Sequence, residues 1–310
     1  MVVLVTGGTG YLGRAIVAAL WRRGHEPVVF ARHASGSGVD ARTIDGDVRD
    51  TPAVVRAAEG VAAICHAAAL VSVWRRDASA FDAVNVGGLQ SVMAAARALH
   101  VPRVVYTSSF LALPPADSPQ TLTANPYQRT KVLARDVARR AAADGLPIVT
   151  LYPGVIYGPG LDTEGNLVGR FLRDHLAGRL PGVIGADHRW SYAYIDDVAE
   201  AHVRALTLPQ GAAEYVIGGV NAPQIALFAF LERTRGTPLP RRIPYAVASL
   251  AALADEARAT LFGTPPRITR GIVEIFRHDW TLDSTAAVAQ LDYAITPLEE
   301  GLTRTLAALS

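Results

Sequence analysis

Two apolar patterns alternate along the first half of the chain. Short, nearly uninterrupted apolar runs stand at Val2–Val5, Pro27–Phe30, Val61–His66, Val104–Tyr106 and Ile148–Leu151. Runs of this kind predict strands buried on both faces, as in a parallel sheet. Between them, apolar residues recur at helical spacing. Leu12, Ile16, Val17 and Leu20 share one face, and that pattern stops near Gly24. Thr43-Ile44 leads into a further strand that ends at Asp45–Val48, and a helix begins near Thr51-Pro52. Asn85 is positioned to open a helix that runs to about Leu99, and Pro126 precedes another. Six strands with intervening helices predict an α/β fold built on a doubly wound parallel sheet.

The second half is patterned more loosely. Phe171-Leu172, Leu176 and Leu180 suggest a helix, and Glu214–Gly218 a strand. Asp196-Asp197 ahead of Val198, Ala199, Val203 and Leu206 reads as a capped helix. Those aspartates are expected to cap or to link domains rather than to act as catalytic acids. Residues Ile243 to Phe262 form an apolar, alanine-rich helical pattern with Tyr245, Leu250, Leu253 and Leu261. Its charges, Asp255, Glu256 and Arg258, are mixed, so it is placed in the core or against a pocket and not on a membrane. The expected organisation is a dinucleotide-binding domain over 1–155 and a substrate domain over 156–310, with segments near 190–220 returning to the first.

Composition narrows the classes. The chain has 310 residues and a net charge of +2, with no basic run, so no nucleic-acid partner is expected. No apolar run reaches membrane-spanning length. Met1 leads straight into the first strand without a charged leader, so a cytoplasmic location is expected. A single cysteine, Cys65, excludes an internal disulfide and a multi-cysteine metal site. Cys65 and His66 are read as packing residues, and no metal is expected.

The candidate chemistry lies where strands end. Thr6-Gly7-Gly8-Thr9-Gly10-Tyr11-Leu12-Gly13 follows the first strand and opens the first helix. Gly7 and Gly10 would let backbone approach a pyrophosphate, and Gly13 would let helix and strand pack closely. At the end of the second strand stand Ala31 and Arg32, with no carboxylate to hold a ribose 2′-OH. An arginine can accept a 2′-phosphate, so NADP(H) is expected, with NAD the alternative. Asp47, followed by Val48, could bond an adenine amino group or cap the next helix. Ala67, Ala68 and Ala69 follow the fourth strand, where small residues let a cofactor lie against backbone. Trp74, Arg75 and Arg76 are candidate substrate contacts or surface residues. Tyr127 and Lys131 are four residues apart, hence on one helical face. Lys131 is the only lysine in the chain. A phenol beside an ammonium is a proton-transfer device whose phenol should be acidified.

Together these segments resemble the extended short-chain dehydrogenase/reductase superfamily. The matching motifs are the Thr6–Gly13 loop, Asp47-Val48, His66–Ala69, Asn85-Val86-Gly87, Ser108-Ser109, Tyr127/Lys131, Pro153–Gly160 and Tyr194–Ala199. The stretches Asp283–Leu291 and Pro297–Gly301 extend the likeness. The resemblance implies a Rossmann domain with a smaller substrate domain. It implies Tyr127 as general acid/base, Lys131 as ribose anchor, Ser109 as the hydroxyl that orients substrate oxygen, and Asn85 as a further catalytic residue. Pro153 and Val155 would join the cofactor contacts. Ala31-Arg32, Tyr106–Phe110 and Thr264–Thr269 look similar to the dihydroflavonol 4-reductase and 3β-hydroxysteroid dehydrogenase-like branch, which acts on apolar ketones and alcohols. Nucleotide-sugar epimerases and dehydratases are the competing branch. They commonly carry an arginine seven residues before the aspartate matching Asp197, where this chain has Trp190 beside Arg189. A silent nucleotide-sensing regulator is a third class, against which Ser109, Tyr127 and Lys131 occurring together argues. The resemblance also implies a homodimer paired through helices that include the one bearing Tyr127.

Overall fold

A computed structural model describes residues 1–209 and 211–309; Gln210 and Ser310 lie outside it. The first half contains β1 (Val2–Thr6), α1 (Tyr11–Arg22), β2 (Glu26–Ala31), β3 (Arg42–Asp45), α2 (Thr51–Ala57) and β4 (Ala63–His66). Next come α3 (Ser79–Phe81), α4 (Gly88–Ala98), β5 (Val104–Thr107), α5 (Pro126–Ala143), β6 (Ile148–Pro153) and β7 (Val155–Tyr157). The remainder is α6 (Leu167–Leu176), β8 (Arg189–Tyr194), α7 (Ile195–Ala205), β9 (Ala213–Ile217), β10 (Val220–Pro223), α8 (Ile225–Arg235), α9 (Tyr245–Phe262), α10 (Arg270–Ile275), α11 (Thr285–Leu291) and α12 (Leu298–Ala307).

Seven strands form one parallel sheet in the order β3-β2-β1-β4-β5-β6-β9. The apolar runs are continuous because alternate residues face different cores. In β1, Val3 and Val5 pack on the α1/α7 side, and Leu4 packs on the α2/α4/α5 side. All three are fully buried. Strand order reverses between β1 and β4, which places a ligand crevice at the carboxyl edge there. β9 is an edge strand of this sheet, parallel to β6. A second sheet, β10-β8-β7, is mixed: β8 pairs antiparallel with β10 and parallel with β7. It carries a third core with Trp190, Tyr192, Phe228 and Trp280.

Four sequence expectations are corrected by tertiary contacts. Asn85 does not open a helix: α3 begins at Ser79, and Asp82–Gly87 continues it as a π-helical turn into α4. Asp47 does not cap α2, because Asp50 does, its carboxylate accepting from Ala53 N–H at 3.2 Å. Neither aspartate caps α7, whose N-cap is Tyr194. Asp197 is a link instead, accepting from Thr296 N–H at 2.7 Å and from its hydroxyl at 2.9 Å.

The fourth correction concerns α9. Its inward face is alanine (Ala248, Ala252, Ala259), while Leu250, Leu261 and Phe262 are 69%, 77% and 73% exposed. The polar residues turn inward because the segment after the helix supplies their partners. Asp255 accepts from the Arg267 and Ile268 amides, and Glu256 binds the Arg270 amide at 2.8 Å and its guanidinium at 2.7 Å.

Candidate active site

The ends of β1, β4 and β5 deliver three loops to one edge of the sheet. Gly7 adopts φ +74° and donates its N–H to Phe30 O at 3.1 Å. A side chain there would meet the Ala68 backbone at 2.6 Å, so the glycine loop and Ala67–Ala68 lie in direct contact. Ala67 N–H in turn donates to Thr6 O at 3.1 Å. Gly10 N–H donates to Gly7 O at 3.0 Å, and Gly10 is the N-cap of α1 without any side-chain cap. Gly13 stands over the same turn: an added Cβ would lie 2.1 Å from Gly7 O. Leu12 is partly buried against the sheet. The result is a cleared backbone surface at a helix N-terminus whose amides have no side-chain partner, which suits a pyrophosphate. Tyr11 contributes backbone to this surface, but its phenol leaves it and donates to Gly158 O at 3.0 Å.

The loop is fixed from beneath. Thr6 Oγ1 lies 2.7 Å from His66 Nδ1, and His66 stacks on Tyr106. Burial, together with the Lys131 charge, pushes the His66 imidazole down to about 3, so it is neutral. Burial pushes the Cys65 thiol up to about 12, consistent with a packing role.

At the outer end of the cleft, Arg32 is exposed at the end of β2. Asp47 is held by Arg49 through two bonds of 3.0 and 2.7 Å. The hydrogen bond from Arg49, with smaller help from the Arg32 charge, holds the Asp47 carboxyl below the usual range. Val48 is buried and packs against Gly88.

α5 carries Tyr127 and Lys131, the expected proton-transfer pair. Its start is fixed by Pro126 and by Asn125, whose side chain accepts from Gln128 N–H at 2.8 Å. Tyr127 is half-buried, and desolvation pushes its phenol up to about 12, offset in part by the nearby Ser109 hydroxyl. Ser109 also accepts from Leu111 N–H at 3.2 Å. Lys131 is buried, donates to Thr107 O at 3.2 Å, and sits 5.8 Å from the Tyr127 ring centroid. Desolvation pushes its ammonium down to about 8. The expected acidification of Tyr127 by Lys131 is therefore outweighed: the ammonium is spent on a carbonyl, and burial acts on both groups.

Asn85 approaches this pair without pointing at it. Its Oδ1 accepts from Leu70 N–H at 2.7 Å, and its Nδ2 donates to Thr130 Oγ1 at 3.0 Å. It ties the segment after Ala67–Ala69 to α5, which is a positioning arrangement. Thr130 and Thr107 are the partners that sequence reasoning missed. Thr130 lies within the Tyr127–Lys131 turn, and Thr107 directly precedes Ser108-Ser109. Pro153 ends β6 in register with Ile217, while Val155 is buried in the third core, leaving only its backbone for the cleft.

The Lys131 ionisation has a measurable consequence. The group is cationic below about 8 and neutral above it. If the ammonium holds the coenzyme ribose, kcat/KM for coenzyme should fall as pH rises through about 8, and a profile flat from pH 7 to 10 would contradict this assignment.

The chain matches the family model described as NAD dependent epimerase/dehydratase family over residues 3–218. It is 32% identical over 278 residues to "Sterol demethylase protein B" of Methylococcus capsulatus, covering 84% of each chain. It is 31% identical over 332 residues to "2-alkyl-3-oxoalkanoate reductase" of Stenotrophomonas maltophilia, covering 98% of each. Among solved structures, the UDP-glucose 4-epimerase of Thermotoga maritima with UDP-glucose superposes at a TM-score of 0.80 and 22% identity, over 100% of this chain and 98% of that one, a likeness of fold. With the glycine-loop surface and the Ser109–Tyr127–Lys131 cluster on one sheet edge, the chain belongs to the NAD-dependent epimerase/dehydratase family and is an NAD(P)-dependent enzyme of the extended short-chain dehydrogenase/reductase type.

Proposed function

We propose that this enzyme is an NADP(H)-dependent oxidoreductase that interconverts a ketone and a secondary alcohol on an apolar small molecule. The observation that carries this reading is Trp190. Where nucleotide-sugar enzymes commonly place an arginine, this chain buries an indole against Phe110 and Phe276, its Nε1–H donating to His278 O at 3.1 Å. The neighbouring Arg189 is exposed, and its guanidinium donates to Asn221 O at 2.7 Å. Phe110, the residue after Ser109, belongs to this packing, and an aromatic backing there suits an apolar ligand better than a sugar diphosphate. The reductase and sterol-related names of the two relatives point the same way.

The glycine loop, the α1 N-terminus and Ala67–Ala69 would hold the dinucleotide, and Lys131 its nicotinamide ribose. When bound, the nicotinamide supplies or accepts the hydride. In the reductive direction negative charge grows on the carbonyl oxygen. Ser109 donates a hydrogen bond to that oxygen, and Tyr127 transfers its phenolic proton there. A phenol with its pKa near 12 is protonated at neutral pH, the state required of the acid. Asn85 acts through Leu70 and Thr130 by holding the cleft walls together.

Arg32 carries the choice of coenzyme. It makes no ion pair with a carboxylate among the described residues, and Asp47 is already satisfied by Arg49. Arg32→Ala should raise the Kd for NADPH by about tenfold, the worth of one charge-assisted contact, and leave that for NADH unchanged. Isothermal titration with both coenzymes measures this, and an unchanged NADPH affinity would remove Arg32 from the site. Net consumption of added NADPH in the presence of an apolar ketone tests the reaction class. Interconversion of a nucleotide sugar with the nicotinamide retained on the protein would replace this reading with the epimerase one.

A further inference from the structure

α9 is apolar nearly all round, with alanines (Ala248, Ala252, Ala259) inward and larger apolar side chains outward. Its three charged residues, Asp255, Glu256 and Arg258, are engaged with the segment 264–270 and with one another. The solvent side carries Val247, Leu250, Leu253, Leu261 and Phe262, between 51% and 77% exposed, with no charge among them. An apolar stripe along a whole helix is a docking surface rather than ordinary surface scatter.

Cations rim it. Gly263 caps α9 in the left-handed conformation, and the Arg76 guanidinium lies directly against it, where the helix dipole favours positive charge. Arg241 precedes the helix, and Arg267 follows it. All three are exposed, and none pairs with a carboxylate among the described residues. The segment that follows α9 reaches the start of the Tyr127 helix: Gly271, at the start of α10, packs on Ala124 and on the N-cap Asn125.

We propose that α9 is an interfacial helix that seats the enzyme on an anionic lipid bilayer. Leu250, Leu253, Leu261 and Phe262 enter the acyl boundary, and Arg76, Arg241 and Arg267 meet headgroup phosphates. Among the described residues no helix is long and apolar enough to cross a membrane, so the contact is one of lying on the surface. A second copy of the chain fits less well. An 18-residue helix is about 27 Å long. Two such stripes would bury well under the ~800 Å² per partner of a stable interface, and their arginine rims would face like charge. The sequence expectation of no membrane partner rested on the lack of a membrane-spanning run and on the mixed charges of α9, whereas the rim comes from outside the helix. Delivery of substrate from the bilayer rests on the apolar-substrate reading, whereas vesicle binding does not depend on it.

Flotation with vesicles of phosphatidylcholine, alone or mixed with phosphatidylglycerol, tests this without substrate. The wild-type chain should float with the mixed vesicles. Leu250→Glu/Leu261→Glu should reduce the floated fraction at least about tenfold, as expected for losing two buried leucines, with its thermal melt retained. Arg241→Gln/Arg267→Gln should reduce the preference for phosphatidylglycerol about fivefold per arginine. Wild-type protein that stays soluble with both vesicle types overturns the proposal, as does a leucine variant that floats like wild type. If that variant instead turns a vesicle-independent dimer into a monomer, the stripe belongs to a second copy and the proposal fails. Loss of ketone reduction with flotation intact would strike the reductase reading and leave this surface standing.

Discussion

Tyr127→Phe is expected to lower kcat by about 10²–10⁴-fold, the range for removal of a positioned general acid. Coenzyme affinity should be unchanged. The substitution removes one oxygen from a half-buried ring whose phenol faces Ser109. The Asn125 cap and the Lys131–Thr107 bond that fix α5 do not involve that oxygen, so the fold should persist. The effect should fall on kcat and kcat/KM together, because proton delivery matters only as charge develops on the substrate oxygen. Steady-state rates combined with fluorescence titration of coenzyme separate these quantities. A variant with full turnover would remove Tyr127 from the chemistry.

Gly13→Ala should have the second large effect, and on a different quantity. The new methyl would sit 2.1 Å from Gly7 O and 2.7 Å from Gly8 Cα. Backbone cannot swing aside as a side-chain tip can. Gly7 O also receives the Gly10 N–H at 3.0 Å, so moving it breaks the turn that clears the backbone surface of the loop. A destabilisation of about 2–3 kcal/mol is expected, with coenzyme affinity down by more than about tenfold. Gly36→Ala is the matched control. Its added Cβ meets nothing within 4 Å, and its φ is not in the left-handed region, so stability and binding should be those of the parent. Thermal melts with and without NADPH measure both terms. A Gly13→Ala protein that melts and binds like the parent would show that the loop does not hold the coenzyme.

The parts of the fold legible in the sequence were those set by burial on two faces. Val3, Leu4 and Val5 are apolar without a break because each neighbouring pair serves a different core, and the same holds for Val28, Val29 and Phe30. The Tyr127–Lys131 pair was legible because four-residue spacing on a helix fixes proximity without tertiary information. What the sequence concealed depends on partners distant along the chain. Asn85 followed by Val86-Gly87-Gly88 looks like a helix start, but Leu70 and Thr130 hold it inside a π-turn. The Tyr11 phenol is claimed by Gly158, 147 residues away. α9 shows the strongest reversal. Its leucines read as core, and they became surface because Arg267, Ile268 and Arg270 draw Asp255 and Glu256 inward. Tyr127 is less acidic than its spacing from Lys131 predicts, for a related reason. Spacing gives the distance to an ammonium, but not the desolvation that raises the phenol to about 12.

The most direct measurement follows the absorbance of reduced nicotinamide while the purified protein meets a panel of apolar ketones, with NADPH and NADH in parallel. Stoichiometric consumption of NADPH with at least one ketone, at a higher kcat/KM than with NADH and absent in Tyr127→Phe, is the predicted result. No net consumption with any ketone, together with interconversion of a nucleotide sugar by protein that keeps its nicotinamide, would contradict it.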